Sequence, residues 1–205
     1  DPATGQVVGP LDSIPTPAGA TVEATEAALK ELIGRFPQCQ GPVGLAFPSV
    51  VVRGVTYSAA NIDKGWIGCD AAAVLRAASG GRESFVVNDA DAAGVAEMQI
   101  GAGRGEHGVV MMITFGTGIG TALFIDGKLW PNTELGHMEI DGMEAEHYAS
   151  ARVRTVEKLD WPAWCERVNK VLDRYHLLLW PDLFIVGGGV SERFEEYGGL
   201  LHSKA

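Results

Sequence analysis

Apolar residues follow two spacings along this chain, and the way these alternate is the first guide to its architecture. "GPVGLAF" (41–47), "SFVVNDA" (84–90) and "GVVMMITF" (108–115) are short apolar runs of the kind that fill buried strands. "TALFIDGKLW" (121–130) reads as a strand that turns at Asp126-Gly127, and "VVVRGVTYS" (50–58) as a hairpin around Arg53-Gly54. Gln6 to Val8 reads as a strand end before the proline-rich turn "IPTPAG". Between these runs, Thr21 to Phe36, Asp70 to Ser79 and Ala90 to Ile100 are expected helices, with Asp70 and Asp91 as N-caps of the last two. "DWPAWCERVNKVLDRYHLLLW" has Asp160 as N-cap and Pro162 in the first turn. It places Trp164, Val168, Val171, Leu172, Tyr175, Leu178 and Leu179 on one face. The following "PDLFIVGGGVSERFEEY" predicts a strand, a triple glycine and a second helix. Alternating strands and helices predict an α/β fold.

Several polar clusters interrupt this pattern. In "TFGTGIG", Gly116, Thr117 and Gly118 sit at a strand end, where a tight hairpin and a phosphate loop look alike. Gly187, Gly188 and Gly189 lie between a strand and a helix, an order that points backbone N–H groups at an anion. "GAGRGEHG" matches the dinucleotide fingerprint in letters, but a helix precedes it and a strand follows, so it reads as an exposed loop. Asn88 and Asp89 end an apolar strand. A carboxylate there suits a general base towards a hydroxyl, or merely a helix cap.

"NTELGHMEIDGMEAEHYAS" gathers Glu134, His137, Glu139, Asp141, Glu144, Glu146 and His147. It is either a solvated acidic loop or a set of acceptors for sugar hydroxyls, which both donate and accept. No cysteine lies near His137, which argues against structural zinc. "SAANIDKGWIG" supplies Asn61, Asp63 and Lys64 beside Trp66, which is either one wall of a carbohydrate site or a packing residue.

Charge and composition narrow the classes. With 205 residues and 46% hydrophobic content, the chain can bury a substantial core. A net charge of −10 without a Lys/Arg run argues against a nucleic-acid partner. No stretch has the uninterrupted apolar length of a membrane helix, so no membrane partner is expected. The three cysteines, Cys39, Cys69 and Cys165, fit reduced thiols and a cytoplasmic location.

Taken in order, "GLAFP", "SAANIDKGW", "VVNDADAAGVAE", "ITFGTGIGTALFIDGKL", "PNTELGHMEIDG" and "LFIVGGGVS" resemble the ROK family of sugar kinases and repressors. Within it they resemble the bacterial polyphosphate/ATP-dependent glucokinases and glucomannokinases. The resemblance implies a two-lobed, actin-like or ribonuclease H-like sugar-kinase fold with a cleft between lobes. The smaller lobe would be residues 1–88 and the larger 89–205. It implies Asp89 as catalytic base, and Asn88, Asn61, Glu134, His137 and Glu146 as sugar ligands. Gly116, Thr117 and Gly118, with Gly187 to Gly189, would hold phosphates. Glucose or a related hexose would be the acceptor, polyphosphate or ATP with Mg²⁺ the donor, and a homodimer the assembly.

Three departures from the family pattern accompany the resemblance. The loop after His137 lacks the family's cysteine-rich zinc motif, so no structural zinc is expected, and a kinase for N-acetylated sugars, which usually keeps that motif, is disfavoured. Ser49 in "FPSVV" stands where the family usually has glycine. The family's first phosphate loop, its first strands and its C-terminal helical segment have no counterpart here, so both lobes are expected to be incomplete and activity reduced. The alternative function is a non-catalytic sugar-binding module. A repressor of the family would carry a helix-turn-helix, of which the residues before Leu11 show no sign.

Overall fold

The computed structural model describes residue 5 and residues 7–202, which divide into two compact units, Asp1–Ala92 and Ala93–Ala205. Gln6, the first residue of the expected strand end, lies outside the described residues; Val7 and Val8 are exposed and form no strand. The end of the polar tail, 203–205, is also outside them.

In the first unit, the Thr21 hydroxyl accepts from the Ala24 N–H and opens α1 (Val22–Gly34). Strand β1 (Val43–Phe47) is followed by β2 (Val51–Val52) and β3 (Val55–Thr56), a hairpin whose central residues Arg53 and Gly54 have φ of 53° and 83°. Both being positive is what a type I′ turn requires. Helix α2 (Ala71–Ala78) is capped by Asp70, which accepts from the Ala73 N–H at 2.8 Å. Strand β4 (Ser84–Asn88) pairs parallel with β1, from Val43↔Ser84 to Phe47↔Asn88. Phe47, Val51, Trp66, Leu75 and Val86 form the core, against which Val22, Leu29 and Ile33 of α1 pack.

Two expectations need correction here. "GPVGLAF" read as a buried run, but Gly44 and Ala46 occupy exposed positions and, on β4, so do Phe85 and Val87. A short apolar run does not reveal that only one face of a sheet is covered. Trp66 is 1% exposed, lies 4.5 Å from Phe47 between ring centroids, and donates from its indole N–H to the Ala20 carbonyl. It is a packing residue, not a wall of a sugar site.

Helix α3 (Asp89–Ile100) begins in the first unit and ends in the second. Its N-cap is Asn88, whose Oδ1 accepts from the N–H groups of Ala90 (2.9 Å) and Asp91 (3.1 Å). Asp91, expected as the cap, lies inside the first turn and is buried.

The second unit is built on strands β5 (Val109–Phe115), β6 (Ile119–Ile125), β7 (Lys128–Trp130) and β10 (Leu183–Gly187), in the order β10-β5-β6-β7. β10 is parallel to β5; the other pairings are antiparallel. Residues Met111, Ile113, Phe115, Ile119 and Leu123 face Trp164, Val168, Val171, Leu172 and Tyr175 of α6 (Trp161–Leu179). Val110, Met112, Ala122, Phe124 and Ile185 face Ala93 and Met98 of α3. Helices on both faces explain why β5 is apolar without alternation.

Asp160 caps α6 and Pro162 sits in its first turn, as the sequence predicted. Leu178, expected on the inner face, is 57% exposed, while Leu179 packs against the core. Between β7 and α6 come the small hairpin β8 (Glu139–Ile140) and β9 (Met143–Glu144), then α4 (Ala145–Ala149) and α5 (Ala151–Val156). The helix expected after the triple glycine is a 3-10 turn over Gly189–Arg193, then the single turn α7 (Phe194–Tyr197).

Candidate active site

In the first unit the strand end at β4 carries two of the candidate residues. Asn88 is 8% exposed and fully oriented: its Nδ2 donates to the Ser49 carbonyl at 3.1 Å while its Oδ1 caps α3. One Nδ2 hydrogen goes to Ser49, which leaves a second for a ligand. Asp89, the next residue, is exposed, and its Oδ1 accepts from the Ala90 N–H at 2.9 Å. A carboxylate at the C-terminal end of a parallel strand and the start of a helix is placed to meet a hydroxyl. Asn61 is exposed in the loop before the Lys64–Trp66 turn; Lys64 donates to the Ala59 carbonyl, holding that loop closed.

In the second unit the two glycine turns stand side by side. "TFGTGIG" is a hairpin: Phe115 pairs with Ile119, and the Gly116 N–H donates to the Gly118 carbonyl at 3.0 Å. The Gly116 N–H is therefore engaged within the turn, while Thr117 is exposed. The Gly116 carbonyl accepts from the Arg152 N–H, which ties the turn to α5. Gly187 ends β10 in register with Thr114 of β5, and Gly188 follows at φ 83° with its missing Cβ pointing at the Phe115 backbone, 2.5 Å from the carbonyl oxygen. Only glycine fits there, so both turns emerge together from the C-terminal ends of parallel strands.

The acceptor-rich segment closes on the same place. A Cβ on Gly136 would come within 2.1 Å of the Ile119 carbonyl oxygen, so the Leu135–His137 turn lies directly on the start of β6. A Cβ on Gly118 would meet Glu146 Oε2 at 2.3 Å, which sets the Glu146 carboxylate against the "GTG" turn. The His137 ring lies 3.8 Å from Glu134 and 3.1 Å from Glu144 Oε2; His147 lies 3.6 Å from both Glu144 and Glu146. The hydrogen bond to Glu144 raises the His137 pKa above its ordinary value, opposed by desolvation and assisted by the charges of Glu146, Glu144 and Glu134.

The structure thus gathers Glu134, His137, Glu146 and Gly116–Gly118 in one cluster of the second unit. His137, Glu144 and Glu146 also offer three donor atoms within 4.8 Å of one another, a spacing that a cation could use. Glu144 had no assigned role in the sequence, yet it links both histidines. The frame beneath the cluster was equally silent. Thr121 hydrogen-bonds the Thr133 carbonyl and accepts from the Leu135 N–H, and the buried Tyr175 hydroxyl donates to the Leu135 carbonyl. Burial alone pushes the Tyr175 pKa upward. Nothing in the spacing of two threonines and a tyrosine so far apart along the chain signals that they meet.

Comparison with known proteins bears on this geometry. The polyphosphate glucokinase of Mycobacterium tuberculosis (strain CDC 1551 / Oshkosh) is 44% identical over 203 residues, 98% of this chain and 76% of that protein. The crystal structure of an inorganic polyphosphate/ATP-glucomannokinase from Arthrobacter sp. strain KM superposes with a TM-score of 0.93 at 43% identity, covering 100% of this chain and 83% of that one. A ROK family glucokinase from Streptomyces griseus, solved with glucose and AMPPNP, gives a TM-score of 0.69 at 24% identity, over 87% of this chain and 74% of that one, and shares the fold. The pattern of the ROK family matches residues 6–155, through the strand end, the first glycine turn and the acceptor cluster alike. With the α/β sugar-kinase fold in place on both sides of these residues, the chain belongs to the ROK family.

Proposed function

We propose that the chain transfers a phosphoryl group from polyphosphate or ATP to the 6-hydroxyl of glucose, with mannose as a second acceptor, giving hexose 6-phosphate. One observation carries this reading: two adjacent glycine turns at parallel-strand ends share a unit with a cluster of carboxylates and histidines, in a chain 44% identical to polyphosphate glucokinases. Phosphoryl transfer needs little covalent work from a protein. The hydroxyl must be aligned with the terminal phosphate, its proton accepted and the spreading charge neutralised.

In this reading Asp89 accepts the 6-hydroxyl proton. The remaining Asn88 N–H, Asn61, Glu134, His137 and Glu146 take the other hydroxyls. Thr117 and the backbone of Gly118 meet the donor, with Gly116 giving clearance, and Gly187, Gly188 and Gly189 meet its distal phosphates. Mg²⁺ takes oxygen ligands, which the donor phosphates supply, so the ion would arrive with the donor and no side chain is assigned to it. When bound, the ion neutralises phosphate charge.

The lobes are assigned to residues 1–88 and 89–205, the location to the cytoplasm and the assembly to a homodimer, which light scattering on the purified protein would check. Among the described residues no helix is long and apolar enough to cross a membrane. The function is tested by coupling hexose 6-phosphate formation to a dehydrogenase, with ATP and with polyphosphate as separate donors. Product with at least one donor is expected. Hexose binding without product from either would leave a non-catalytic sugar-binding module.

A further inference from the structure

Ser49 is a buried polar residue of the first unit, at 3% exposure. Its hydroxyl donates to the Ser58 carbonyl at 2.8 Å and accepts from the Ser58 N–H at 3.2 Å. The Ser58 hydroxyl returns the contact by accepting from the Val50 N–H at 2.9 Å. Two loops, one on each side of the β2–β3 hairpin, are thereby stitched together by a pair of serines. The Ser49 carbonyl, held in place by this stitch, accepts the Asn88 amide.

That last bond fixes which way the Asn88 amide faces. With Nδ2 on Ser49, Oδ1 must face α3, where it takes the Ala90 and Asp91 N–H groups. Both neighbours of Asp89 are then pinned, Asn88 through its side chain and Ala90 through its N–H. We propose that Ser49 is a positioning residue, whose hydroxyl sets the carbonyl that orients Asn88 and so holds Asp89 in its working geometry. A glycine at 49 would keep the carbonyl but lose the hydroxyl's two bonds to the Ser58 backbone, leaving only the Val50 N–H to the Ser58 hydroxyl.

The proposal rests on the assignment of Asp89 as the base, and its test separates the two. Ser49→Ala, Ser58→Ala and the double variant are compared with the wild type for kcat, donor KM and amide exchange. Loss of sub-ångström alignment lowers rates steeply, so each single variant is expected to lower kcat by roughly tenfold while donor KM stays within about twofold. Ser58→Ala removes the acceptor of the Val50 N–H but leaves the Ser49 hydroxyl its bonds to the Ser58 backbone, so the double variant should combine two separate losses. A merely structural role would instead give a fall in melting temperature with kcat intact.

Amide exchange at Ala90 and Asp91, measured without substrate, is independent of any activity and should quicken in Ser49→Ala. Unchanged exchange at those two amides, or kcat within twofold of wild type, overturns the proposal. Faster exchange in Ser49→Ala, together with a wild type that forms no hexose phosphate, sinks the proposed function and leaves the Ser49–Asn88 linkage standing.

Discussion

Asp89 is exposed at a strand end while its two neighbours are tied into the fold, so its carboxylate can change partner without moving the backbone. A positioned general base contributes about 10²- to 10⁴-fold. Asp89→Asn should therefore lower kcat by a factor in that range while hexose affinity, followed by calorimetry, is kept; a near-normal kcat would remove Asp89 from its role. His137 gives a prediction of opposite character. Its pKa is raised from 6.5, chiefly by the hydrogen bond to Glu144, so its protonated form is favoured in the folded state. The stability it contributes is fully present below pH 6.5 and is lost as pH rises through the raised value. The difference in melting temperature between wild type and His137→Gln should shrink across that window, and a difference that grows with pH would contradict the ion pair. Cys165, by contrast, is pushed up to about 11 by burial, so its thiol should resist alkylation until the protein unfolds.

At the scale of elements, close approach of backbones makes the site. Gly188 and Gly136 touch the Phe115 and Ile119 carbonyls, at opposite ends of the "GTG" turn. Forcing a methyl into either contact costs about 1–3 kcal/mol of overpacking. Gly188→Ala and Gly136→Ala should each lower the chemical denaturation midpoint accordingly and raise donor KM, whereas an unperturbed donor KM would separate those turns from phosphate binding. The elements themselves were largely legible from sequence. Asp70 and Asp160 announced their helices, the apolar run of β5 announced a strand, and Asp126-Gly127 announced its turn. What escaped was set by tertiary contact. Whether Trp66 lines a cleft or fills a core depends on Phe47 and Ala20, which lie elsewhere in the chain. The cap of α3 fell to Asn88 and not Asp91 because β4 ends just before the helix begins, leaving no loop for a later cap. The acceptor cluster was visible as composition, but the bridging place of Glu144 required the β8–β9 hairpin to fold it back beside His137.

For the whole molecule, a net charge of −10 works against an anionic donor at long range and leaves a neutral hexose unaffected. Raising ionic strength screens that repulsion, so the KM for polyphosphate should fall between low and physiological salt while the KM for glucose holds steady. A polyphosphate KM that climbs with salt would instead place a local cationic track in control of donor capture. The first compact unit ends at Ala92, just after Asp89, and the second carries both glycine turns and the acceptor cluster. The central claim is that these residues together form a hexose kinase. It is tested most directly by measuring glucose 6-phosphate formation by the wild type and Asp89→Asn side by side, with ATP and with polyphosphate. Donor-dependent product from the wild type and its near loss in Asp89→Asn are predicted; no product with either donor, or equal product from both proteins, would contradict the account.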